Sequence, residues 1–147
     1  MPFKNILVPI DFSEVSIRAL RLAIQLARPV SGRIRLVHVG VALMPVDGDM
    51  WMASSAATLI TWHQELAAEQ LHSLRKVAKD EIPDGLQWSA EILDGFPPEA
   101  ILAEQQKGAH DLVVMGTHGR TGLTRIVMGS VAERVIRACP VPVLSIR

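Results

Sequence analysis

Short runs of β-branched and aliphatic residues alternate with longer amphipathic stretches along this sequence, and Gly, Pro, Ser or Asp marks each switch. A strand followed by a helix, repeated, has few structural solutions. The strands lie parallel in one sheet, and the connecting helices cover its faces. NILVPI, RIRLVHV, LQWSAEIL, DLVVM and VPVLSIR read as five strands. The first is almost continuously apolar, which suits a strand covered on both sides. LQWSAEIL instead alternates Trp88, Ala90 and Ile92 with polar neighbours, the pattern of a strand nearer an edge.

The helical segments follow from 3.6-residue periodicity. DFSEVSIRALRLAIQLA puts Ile17, Leu20, Ile24 and Ala27 on one stripe, stopped by Pro29 and Gly32. A long helix is expected from roughly Ala57 to Lys79, with Leu59, Trp62, Leu66, Leu71, Leu74 and Ala78 toward the sheet. Pro97 and Pro98 start a shorter helix that Gly108 stops, and SVAERVIRA forms the last one. Residues 41 to 54 include Met44, Pro45, Gly48, Met50, Trp51 and Met52 without a clear period. They read as a long apolar loop, either a lid or a packing surface.

At 147 residues the chain is expected to be one domain. Fifteen basic and fifteen acidic side chains give zero net charge, which removes the electrostatic argument for nucleic acid or an anionic membrane as partner. No apolar stretch approaches the ~20 residues of a spanning helix. MPFKNILVPID lacks the long apolar segment of a signal peptide, so a cytoplasmic location is expected. The lone Cys139 has no partner for an internal disulfide and reads as a small buried residue near a helix end.

The sharpest local pattern is VVMGTHGRTGLTRIVMGSVAERV, residues 113 to 135, with Gly116, Gly119 and Gly129, and Ser130 directly after the last of them. Gly116 falls at the carboxyl end of the fourth strand, and Gly129 and Ser130 at the start of the last helix. Open α/β sheets bind ligands at such connections. Glycine lets a ligand lie against the backbone, and free N–H groups at a helix start attract anions. Gly116 and Gly119 would then form a wall, while Gly129, Ser130 and Val131 offer donors. Arg120 and Arg125 would add charge opposite a phosphate, or remain solvated loop residues. Plainer roles also exist for two others, since Asp11 with Glu14 and Ser130 with Glu133 have capping-box spacing.

Gly116, Gly119, Gly129 and Ser130 compose G-x2-G-x9-G-[ST], and on that motif the chain resembles the nucleotide-binding branch of the universal stress protein family. The resemblance runs through NILVPIDFSE, LVHV, GFPPEAIL, DLVVMGTHGRTG and GSVAERVIRACPVPVLSIR, nearly the whole chain. It implies a Rossmann-like, open five-stranded parallel sheet of order 3-2-1-4-5 with helices on both faces. It further implies bound ATP or AMP, and a homodimer. By the same resemblance Asp11, with Pro9 and Ile10 beside it, lies near the ribose, and a backbone group of Val39 receives the adenine. Gly116, Gly119, Arg120, Gly129, Ser130 and Val131 fall at the ribose and phosphate positions. Met115, beside Gly116, is counted with the candidate site, as is His118, which the glycine loop would bring toward phosphate. The implied role is a nucleotide-dependent sensor or signalling dimer of the stress response.

Other classes fit less well. ATP-using ligases on a similar scaffold need a Ser/Gly-rich loop after the first strand, where this chain has PIDFSE, and the P-loop pattern is absent. His118 and Asp11 are the candidate bases near the glycines, and the sequence shows no orienting partner for either. No catalytic residue is therefore assigned, and slow ATP hydrolysis is the most that is expected. A stress-related dimer without nucleotide stays as an alternative. A flavin carrier would need a hydroxyl-rich first loop and more aromatic residues than 4%. His63 and His72 point to opposite sides of one helix, and His38 and His118 lack partners at metal spacing, so no protein metal site is expected. Mg2+ would instead arrive with the nucleotide phosphates, using Asp11 or water. At the end of the sequence, residues 142–147 read as an edge strand that tolerates Pro142 and leaves Val143, Leu144 and Ile146 to be covered by a second copy.

Overall fold

The computed structural model describes residues 3–40, 53–118 and 128–147. In chain order the elements are β1 (Asn5–Pro9), α1 (Glu14–Ala27), β2 (Arg33–Val39), α2 (Ala53–Glu81), β3 (Gln87–Leu93), α3 (Pro97–Lys107), β4 (Leu112–Gly116), α4 (Ser130–Ala138) and β5 (Val143–Ile146). All strand pairs are parallel, in the order β3-β2-β1-β4-β5. This is the expected α/β architecture. The loop expected over 41 to 54 lies outside the described residues up to position 52, and its last two positions belong to α2, which starts earlier than its periodicity suggests.

The pleat of the strands divides the core between the two faces. Ile6 and Val8, Ile34 and Leu36, and Leu112 and Val114 point toward α1 and α2. The alternate residues Leu7, Val37, Val113 and Met115 point toward α3 and α4. β1 lies between two strands and two layers of helix, so Asn5 to Val8 are all buried. That double cover is why NILVPI shows no alternation.

Two helices pack differently from their sequence stripes. In α1 the buried residues are Ser16, Ala19, Leu20, Ala23 and Ala27, while Ile17 and Ile24 are only partly covered. Small side chains bring α1 close to the sheet, and the bulkier isoleucines fill its flanks. In α2, Leu74, Ala78 and the following Ile82 are buried, Leu59, Leu66 and Leu71 are half-buried, and Trp62 is 53% exposed. Trp62 therefore does not face the sheet as expected. The cause is length: 29 residues of helix span about 43 Å, against about 23 Å for the seven-residue strands beneath. The amino-terminal turns of α2 overhang the sheet.

Among the described residues no helix is long and apolar enough to cross a membrane, and no group of three or more His, Cys, Asp or Glu is arranged to hold a metal ion. Cys139 is a half-buried free thiol at the end of α4.

Candidate functional site

The carboxyl ends of β1, β2 and β4 and the start of α4 enclose a cavity of about 510 Å³. Pro9, Ile10, Asp11, Val39, Met115, Gly116, His118, Gly129, Ser130 and Val131 all line it. Gly119 and Arg120 lie outside the described residues, as does Arg125. The lining also includes Ser16, His38, Pro97, Ile101 and Thr117, which the sequence reading did not assign to the site.

Asp11 occupies the turn between β1 and α1. It is not the helix cap suggested by its spacing to Glu14. Ser13 is the N-cap, accepting from the Ser16 N–H at 3.2 Å. Asp11 Oδ1 accepts from the Ser13 backbone N–H at 2.9 Å and from the Ser13 hydroxyl. Between them, Phe12 has φ +65°, a left-handed conformation that costs a non-glycine residue about 1–2 kcal/mol. Phe12 packs against the His38 ring with centroids 4.8 Å apart. His38 Nδ1 lies 2.7 Å from the Ile10 carbonyl, so that nitrogen carries the proton and donates it. Its Nε2 then accepts from the Gln70 amide at 3.4 Å. An imidazole on β2, anchored to α2, thus clamps the turn that presents Asp11.

The opposite wall is built around Thr117. Its backbone N–H and its hydroxyl both reach the Ile146 carbonyl, at 2.7 and 3.0 Å. With its proton committed to Ile146, the Thr117 oxygen can only accept from His118 Nδ1, 2.8 Å away. His118 therefore has the orienting partner that the sequence did not reveal, on its Nδ1 side. The Thr117 carbonyl accepts from the Gly129 N–H at 2.6 Å, which draws the start of α4 to the end of β4.

The glycines work through packing. A Cβ on Gly116 would lie 2.8 Å from Val15 Cγ1, toward α1 rather than toward a ligand. A Cβ on Gly129 would meet the Thr117 carbonyl oxygen at 3.0 Å. Both positions thus require close backbone approach, but by the protein's own elements. Gly129 is the N-cap of α4 and offers no side-chain cap, so Ser130 is the first helical residue and not the capping residue its spacing to Glu133 suggests. Glu133 instead pairs with Arg137 at 2.9 Å. The first intrahelical bond runs from the Glu133 N–H to the Gly129 carbonyl. The N–H groups of Ser130, Val131 and Ala132 precede that ladder and border the cavity, at the positive end of the helix dipole. One side of the cavity therefore suits an anion. The other side joins the Asp11 carboxylate to an apolar surface of Ile10, Val37, Val39, Ile101 and Met115.

Comparison with known proteins bears on this geometry. The sequence profile described as the universal stress protein family matches residues 2–147. Universal stress protein MJ0531 of Methanocaldococcus jannaschii is 37% identical over 145 residues, 99% of this chain and 82% of that protein. Among solved structures, hypothetical protein MJ0577, from the same organism, superposes with a TM-score of 0.83 at 27% identity, covering 99% of this chain and 96% of that one. The universal stress protein from Archaeoglobus fulgidus in complex with dAMP superposes with a TM-score of 0.60 at 23% identity, covering 100% of both chains.

Proposed function

Because the chain belongs to the universal stress protein family, we propose that it binds an adenine nucleotide, ATP or AMP, in the cavity at the carboxyl ends of β1, β2 and β4, and that the bound state regulates a signalling dimer. One observation carries this reading. Three N–H groups without intrahelical partners, at the start of α4, share a cavity of about 510 Å³ with the Asp11 carboxylate and an apolar lining. Phosphate suits the first feature, ribose hydroxyls the second and a purine the third. The dAMP held by the Archaeoglobus fulgidus relative supports the choice of adenine. Asp11 is the one carboxylate among the described lining residues, and its Oδ2 accepts no hydrogen bond from them, so Asp11 would face a Mg2+ ion carried in with the phosphates.

The test uses Ser130→Glu. Ser130 is exposed at the first position of α4, where a carboxylate favours the helix dipole yet repels phosphate. Calorimetric titration of nucleotide-stripped protein with ATP and Mg2+ is expected to show binding by the parent and at least roughly tenfold weaker binding by the variant, with unfolding midpoints unchanged. A folded parent that takes up no adenine nucleotide overturns the reading and leaves the nucleotide-free dimer in its place.

A second reading, slow ATP hydrolysis, draws on His118, which lines the cavity and is oriented through Nδ1 by the Thr117 hydroxyl. Phosphate release that survives His118→Gln unchanged would remove it.

A further inference from the structure

The parallel ladder between β1 and β2 stops before its register requires. Pro9 stands opposite Val37, and just past the strand the Ile10 N–H still donates to the Val37 carbonyl at 2.8 Å. In that register the next bond would run from the Val39 N–H to the Ile10 carbonyl, and the one after it from the Phe12 N–H to the Val39 carbonyl. Neither bond is formed. Nor does β3 supply partners for Val39. The neighbouring Gly40 N–H takes the Leu93 carbonyl at 2.9 Å, and successive residues of a strand turn their backbone groups to opposite sides.

A side chain takes the place of the missing bond. His38 Nδ1 donates to the Ile10 carbonyl at 2.7 Å, so that carbonyl is turned to the imidazole and not to Val39. The ring is held by Phe12 on one side and by the Gln70 amide on another. A Cβ on Gly40 would stand 3.0 Å from Gln70 Oε1, so the bare glycine leaves that amide its room. Phe12, at φ +65°, turns the chain away, and its N–H does not come opposite the Val39 carbonyl. Val39 lines the nucleotide cavity together with Val37 and His38. One residue therefore keeps both an N–H donor and a carbonyl acceptor open at the cavity. Half-buried backbone groups of this kind call for a partner from water or a ligand.

These two groups match one edge of adenine, where ring nitrogen N1 accepts and the adjacent amino group donates. Guanine carries the reverse pair, a ring N–H beside a carbonyl. We propose that His38 is a positioning residue for base recognition, an inference that rests on the adenine-nucleotide reading above. By holding the Ile10 carbonyl it keeps Val39 out of the ladder, so that the Val39 N–H donates to N1 and the Val39 carbonyl accepts from the amino group. His38 acts through Val39 and has no need to touch the base.

The experiment reads amide hydrogen exchange at Val39 in the ligand-free full chain, then titrates AMP and GMP, for the parent, His38→Leu and His38→Asn. Leucine removes the donor, whereas asparagine keeps an N–H close to the Nδ1 position. In the parent, Val39 should exchange at least roughly tenfold faster than Val37, which the ladder holds, and should slow when AMP is added. In His38→Leu the Ile10 carbonyl is released to the Val39 N–H. Exchange at Val39 should then slow by roughly tenfold or more without ligand, AMP affinity should fall by about as much, and the preference for AMP over GMP should shrink. His38→Asn should follow the parent. Slow exchange at Val39 in the ligand-free parent, unchanged exchange or unchanged AMP affinity in His38→Leu, or an asparagine variant as impaired as the leucine one would overturn the proposal. A parent that takes up no AMP removes the nucleotide reading, while the exchange contrast at Val39, read without ligand, decides the role of His38 separately.

Discussion

At Gly116 the missing Cβ serves packing first, because the side chain it lacks would point at Val15. Gly116→Ala is therefore expected to lower stability by about 1–3 kcal/mol in urea unfolding, the usual penalty for overpacking. Val15→Ala should recover part of that loss, and failure of this rescue would show that the contact is not the cause. His110 gives a prediction in pH. Its folded pKa is depressed, so its contribution is fully present above the unfolded value near 6.5 and declines as pH falls below it, because the unfolded chain then binds the proton more readily. The slope for one proton is at most about 1.4 kcal/mol per pH unit. Unfolding midpoints should drop between neutral and mildly acidic pH in the parent and stay flatter in His110→Gln; equal slopes would refute it. The residue scale is also where the sequence was least legible. Gly116, Gly129 and Ser130 could be placed at the cavity from a motif, but their physical roles could not. His38 and Thr117 were missed as site residues because what gives them meaning is a carbonyl far away in the chain, Ile10 for one and Ile146 for the other.

Among the elements, two serines at helix starts separate stability from binding. Ser13 caps α1 through the Ser16 N–H, so Ser13→Ala should cost about 1 kcal/mol, read from urea unfolding. Ser130 makes no capping bond, so Ser130→Ala should leave stability within about 0.5 kcal/mol. Equal losses at both positions would mean that Ser130 caps after all. The long helix α2 offers a similar contrast. Leu74→Ala should cost about 2–5 kcal/mol, while truncating the overhanging Trp62 should cost far less. These differences also show what the sequence could convey about the fold. Apolar runs, period-3.6 stripes and Pro and Gly punctuation sufficed to place every strand and helix, because each element buries one face or two against its neighbours. It could not tell that α2 outruns the strands, since exposure of Trp62 depends on where β2 and β3 stop. Nor could it tell that α1 seats on alanines, since that depends on how closely the sheet approaches.

For the whole molecule the open question is what covers β5. This strand pairs only with β4, so its outer edge presents backbone groups with no strand partner among the described residues. Its side chains are not equivalent. Val143 and Ile146 pack against the chain's own two core clusters, whereas Leu144 is 37% exposed. We predict a two-fold dimer through residues 142–147, with Leu144 at the contact. Leu144→Asp should then convert the dimer to a folded monomer in sedimentation, with unfolding midpoints of the monomer close to those of the parent at high dilution. Ile146→Asp is the poorer probe, because it injures the core and the edge together. The Ile146 carbonyl also accepts both the backbone and the hydroxyl of Thr117, which in turn holds His118 and Gly129 at the cavity. A change in pairing at β5 therefore acts on the residues that would meet the phosphates, and adenine nucleotide should bind the dimer and the Leu144→Asp monomer with different affinity. Equal affinity would confine any nucleotide signal to the cavity, and a Leu144→Asp protein that remained dimeric would place the contact on another face.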